Sequence, residues 1–90
     1  MNIATEIVFD FLMDPDRRHD YLRPLVQAAL DQAGGNETEA EAILEKRLEA
    51  EMRKGAPKVS GIYLELLEFA LDLIMFEVIA KKIMMHEWDR

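Results

Sequence analysis

Apolar residues recur along this chain at intervals of three and four and never in a sustained alternation, so helices are expected throughout and strands nowhere. In the first segment Ile3, Ile7 and Phe11 keep one helical spacing and Val8, Phe9, Leu12 and Met13 another, until Asp14-Pro15-Asp16 turns the chain. From Arg17 to Ala33 the set Tyr21, Leu22, Leu25, Val26, Ala29 and Leu30 repeats in the same way with Pro24 inside it. Proline removes a helical hydrogen bond, so this helix either starts near Leu22 or bends at Pro24. Gly34 and Gly35 supply a left-handed helix stop, and Asn36 or Thr38 caps a third helix from about Glu37 to Lys54. Ala40, Ile43, Leu44, Leu48 and Met52 form its one narrow apolar stripe. The segment Gly55 to Gly61 breaks the pattern, and a last helix is expected from near Ser60 to about Trp88.

That last helix has more than one apolar face. Ile62, Leu66, Phe69, Leu73, Phe76, Ala80 and Met84 make a first seam, and Tyr63, Leu67, Ala70, Ile74, Val78, Met85 and Trp88 an adjacent one. Leu64, Leu71, Met75 and Ile79 add a third, which leaves Leu73 to Phe76 apolar on every side. A helix apolar all round must be enclosed, and the other three offer only short or narrow faces with which to do it. The expected fold is therefore all-α, a small helical bundle of three to four helices around a long apolar C-terminal helix, with residues 1–90 as a single helical domain. A second copy in a homodimer would complete the enclosure, with Leu66, Phe69, Leu73, Met75, Phe76 and Ile79 at the interface. The polar side of the helix also changes: Glu65, Glu68 and Asp72 mark it in the first half, whereas Glu77 and Lys81 lie roughly 140–180° away in the second. Different neighbours should therefore cover the two halves.

Composition narrows the functions. A chain of 90 residues buries little more than ~60% of its unfolded surface, which favours a partner subunit. The net charge of −7 argues against nucleic acid and against anionic membrane surfaces. The N-terminus lacks the positive region of an export signal, and the span-length stretch Ile62 to Ala80 carries Glu65, Glu68, Asp72 and Glu77, so no membrane segment is expected. The absence of cysteine excludes disulfides and thiolate metal sites and fits a cytoplasmic protein.

Little in the pattern points to catalysis. His19 and His86 are the histidines; Asp16 and His19 have the i, i+3 spacing of carboxylate–histidine metal sites, but such bundles need the motif twice. No catalytic residue, metal site or cofactor is expected. Glu65, Glu68 and Asp72 share one helix face, within ~60° of each other, and support the alternative of a small-molecule or metal-binding bundle. The main expectation is a small acidic protein-interaction module, an adaptor, regulator or inhibitor docking an unknown protein partner. Met52, Met75, Met84 and Met85 suit an adaptable contact face.

The stretch Ala29 to Leu48, with Gly34-Gly35-Asn36 before a helix rich in Glu and Ala, resembles the start of the helix-turn-helix of the Fis-type DNA-binding family. That family then needs a glycine turn and a basic recognition helix. Here Glu45 to Glu51 simply continues the helix, so DNA binding does not follow. The same turn resembles the last loop of ubiquitin-associated domains, but their Met-Gly-aromatic loop is replaced by Asp14 to Asp20.

Overall fold

The computed structural model describes residues 2–86, and the expected last turn up to Trp88 lies outside them. Among these residues every regular element is helical: α1 (Ile3–Leu12), α2 (Pro15–Arg17), a π-turn (Arg18–Leu22), α3 (Arg23–Gln32), α4 (Glu37–Gly55), α5 (Ile62–Leu73) and α6 (Phe76–Met85).

From α2 to α3 the chain runs on as one rod, because Arg17, Arg18, Leu22 and Arg23 all keep right-handed helical angles. The rod begins at Asp14, whose carboxylate accepts the Asp16 N–H, and at Pro15 in the first position, where a missing N–H costs nothing. Pro24 neither starts nor stops this rod. The turn before it widens instead, and the Arg23 N–H reaches back five residues to the Arg18 carbonyl. A proline ring crowds the carbonyl four residues earlier, and a widened turn relieves that clash while keeping Leu22 buried.

The next turn follows the sequence closely. Gly34 and Gly35 take φ of 63° and 87°, the Gly35 N–H closes on the Leu30 carbonyl, and the Asn36 side chain accepts the Glu39 N–H. Glu37 and Glu39 at the start of α4 and Arg53 and Lys54 at its end complement the helix dipole. Ala40, Leu44 and Leu48, four residues apart, bury one face of α4, which packs against α3 and α6.

The C-terminal region departs from expectation. In place of one long helix the chain forms α5 and α6, separated by Ile74 and Met75 in non-helical conformations. The halves have 12 and 10 residues, and among the described residues no helix is long and apolar enough to cross a membrane. Opening a helix frees a carbonyl and an amide, and both find partners on α1. The Asn2 amide donates to the Leu73 carbonyl at 2.7 Å, and the Met75 N–H donates to the Thr5 hydroxyl at 2.9 Å. Thr5 itself is fully buried, and the Asn2 side-chain oxygen accepts from both its N–H and its hydroxyl. The clasp thus caps α1 and bridges the break together.

The break lets the two halves face differently. Phe76, Ile79, Ala80 and Ile83 turn inward and meet Val8 and Leu12 of α1, Leu22, Val26, Ala29 and Leu30 of the rod, and the α4 stripe in one core. No residue of α5 is buried. The enclosed C-terminal helix expected from the sequence is therefore corrected: α6 buries one face in the core and α5 lies along the outside.

Thr5→Val keeps the volume but removes the acceptor for the Met75 N–H. It is expected to lower stability by about 1–3 kcal/mol, and Thr5→Ser by less. Urea denaturation measures both, and amide exchange at Met75 should accelerate in the valine variant alone.

Candidate interaction surface

Helix α1 presents two opposed apolar faces. Thr5, Val8 and Leu12 point into the core, while Ile3, Ile7 and Phe11, at i, i+4 and i+8, stand on the outer side with Ile3 74% exposed. Helix α5 repeats the division. Leu67 and Leu71 are half-buried toward the body, and Ile62, Leu66, Phe69 and Leu73 form the opposite seam, with Tyr63 beside it; Tyr63 and Phe69 are 70% and 65% exposed.

The two helices lie in contact and run antiparallel. Asn2 binds the carbonyl of Leu73 at one end, and toward the other Phe11 shares a cleft with Leu67 and Leu71. That cleft, about 370 Å³, is walled on its inner side by Leu48, Met52 and Phe76. It marks where α5 stands off the core. Tyr21 and Glu51 also line it, and partial burial, with the Glu51 charge adding and Arg47 opposing, raises the Tyr21 phenol above the usual tyrosine value.

Charge borders the apolar strip on both long edges. Asp72 meets the Arg53 guanidinium at 3.3 Å, which sets the carboxylate edge of α5, Glu65, Glu68 and Asp72, on the side of α4. On α1, Lys82 of α6 lies 5.8 Å from the Phe9 ring, so the neighbouring Glu6 and Asp10 follow the edge toward α6. Neither helix contains a lysine or arginine. The nearby cations are engaged: Arg53 with Glu49 and Asp72, and Arg17 stacked 3.6 Å over the Phe11 ring.

No known protein family, characterised protein or solved structure matches the chain. The chemistry of the strip is therefore the guide to function.

The residues singled out from sequence separate into two groups. Leu66, Phe69, Leu73 and Met75 are exposed, the first three on the α5 seam and Met75 in the break. Phe76 and Ile79 belong to the core, 6% and 0% exposed, so the placement of these two at an interface is corrected. The break rotates them inward. Glu65, Glu68 and Asp72 do share an exposed edge, but among the described residues no three His, Asp or Glu side chains converge on a metal position. His19 sits exposed, 3.0 Å from Asp20 rather than against Asp16. Sequence reasoning missed Ile3, Ile7 and Phe11 as surface residues. Their spacing was visible, but a helix with two apolar faces does not say which one the core takes.

Core and strip should respond differently to truncation. Ile79→Ala is expected to cost about 2–5 kcal/mol, and Leu66→Ala, measured at high dilution, no more than ~0.5 kcal/mol. Thermal or urea denaturation of the two variants at nanomolar concentration makes the comparison.

Proposed function

We propose that the chain is a small acidic helical protein-interaction module of the cytoplasm, an adaptor, regulator or inhibitor, that pairs as a homodimer through the α1–α5 strip. The observation that supports this reading is α5 itself: twelve residues, nine of them large apolar or aromatic side chains or alanine, and none buried. Lone exposed apolar side chains need no explanation, but contiguous patches beyond a few hundred Å² on a soluble monomer signal an interaction site. Ile3, Ile7, Phe11, Ile62, Tyr63, Leu66, Phe69 and Leu73 together expose roughly 970 Å², taking ~200 Å² for each such residue when fully exposed. A stable interface of standard size needs about 800 Å² from each partner.

Pairing would stack the two-helix layer of one copy on that of the other. The apolar helix that the sequence places inside a bundle would then be enclosed by helices from two chains. The alternative, a small-molecule or metal-binding bundle on Glu65, Glu68 and Asp72, has less support, since these carboxylates face solvent and Asp72 already holds Arg53.

Light scattering after size exclusion should give twice the chain mass at micromolar concentration. Phe69→Glu should shift it to one chain with helicity unchanged, because that side chain is exposed rather than part of the core. A wild-type chain that remains monomeric at high concentration, or a Phe69→Glu variant that remains dimeric, overturns the proposal.

A further inference from the structure

On the reading that the α1–α5 strip is a docking face, we infer that its working occupant is a basic amphipathic helix of another protein, which displaces the second copy. The apolar floor admits either occupant. The edges discriminate between them. Glu6 and Asp10 border one side and Glu65, Glu68 and Asp72 the other, with no cation on either helix. Asp72 is held by Arg53, and Arg17 over Phe11 and Lys82 near Phe9 are the cations beside the strip, so a second copy sets Glu6, Asp10, Glu65 and Glu68 against the same four and carboxylates outnumber cations around the self-paired interface. A helix with a stripe of Leu, Ile or Phe flanked by Lys and Arg fills the trough between two antiparallel helices and pairs with both edges. Length agrees as well: α5 has 12 residues and the strip is therefore ~18 Å long, three to four turns of a partner helix.

Charge gives the two complexes salt dependences of opposite sign. Screening relieves repulsion, so the homodimer tightens as salt rises. The complex with a basic helix loosens.

The test titrates the full chain with a synthetic amphipathic Leu/Lys helix of about 18 residues, with a Leu/Glu helix of the same pattern and a scrambled Leu/Lys peptide as controls. Calorimetry and light scattering at low and high salt read the affinity and the mass. The Leu/Lys helix is expected to convert dimers into one-to-one complexes, to bind at least about tenfold more tightly than either control, and to weaken with salt. Neutralising the edges (Glu6→Gln, Asp10→Asn, Glu65→Gln and Glu68→Gln together) should weaken that complex about tenfold while tightening the homodimer. Glu37→Gln with Glu39→Gln, at the start of α4, should change neither, and circular dichroism confirms that each variant is folded. Equal binding of the scrambled or acidic peptide, indifference to edge neutralisation, or a homodimer that the Leu/Lys helix does not displace overturns this inference and leaves the homodimer standing. A chain that never dimerises and binds the peptide regardless of Phe69→Glu overturns the docking face itself.

Discussion

A threonine hydroxyl shut away from solvent holds the architecture together. Thr5 accepts the Met75 N–H while Asn2 holds both Thr5 and the Leu73 carbonyl, so two segments distant in sequence meet at one polar point on the edge of an apolar core. A buried amide without a partner costs about as much as a good hydrogen bond is worth, and often more. The α5–α6 break is tolerable only because α1 is there, and the N-terminus of α1 is fixed only because the break is there. Everything downstream depends on this mutual support. With the break, α6 can roll Phe76, Ile79, Ala80 and Ile83 onto α4, and α5 is left to follow α1 in the opposite direction.

The consequence is a division of labour within one apolar region. Helix α6 stabilises the fold, while α5, with the outer face of α1, presents apolar surface that the fold does not use. Apolar area contributes ~25 cal/mol per Å² when removed from water, whereas an exposed ion pair contributes about 0–1 kcal/mol. On the proposed docking face the floor would therefore supply most of the affinity, and the carboxylate edges would select among occupants. That is how specificity arises when shape alone admits several helices: repulsion against the wrong partner does as much as attraction to the right one.

The cleft beneath α5 belongs to the same economy of packing. A helix whose half-buried side chains are Leu67 and Leu71 leaves space behind it, between Phe11, Leu48, Met52 and Phe76.

Local chemistry determined much of this protein from sequence alone. The all-helical content, the left-handed Gly34–Gly35 stop, the Asn36 cap and the buried stripe Ala40, Leu44, Leu48 each follow from the residues that carry them and their immediate neighbours. The excess of apolar surface over what one short chain encloses was legible too, whereas the expected change of polar side between Asp72 and Glu77 was drawn on one continuous helix, and across the break both residues line one cleft beside Arg53. What sequence could not locate was the break. No glycine or proline marks residues 73–76, and the three-four periodicity runs through them without interruption, because both halves are apolar helices in their own right. The hydroxyl that takes up its freed amide lies 70 residues away in Thr5. The same holds for the outward turn of Ile3, Ile7 and Phe11. Spacing says which residues share a face, but only the packing of other helices decides which of two apolar faces is buried and which is left exposed.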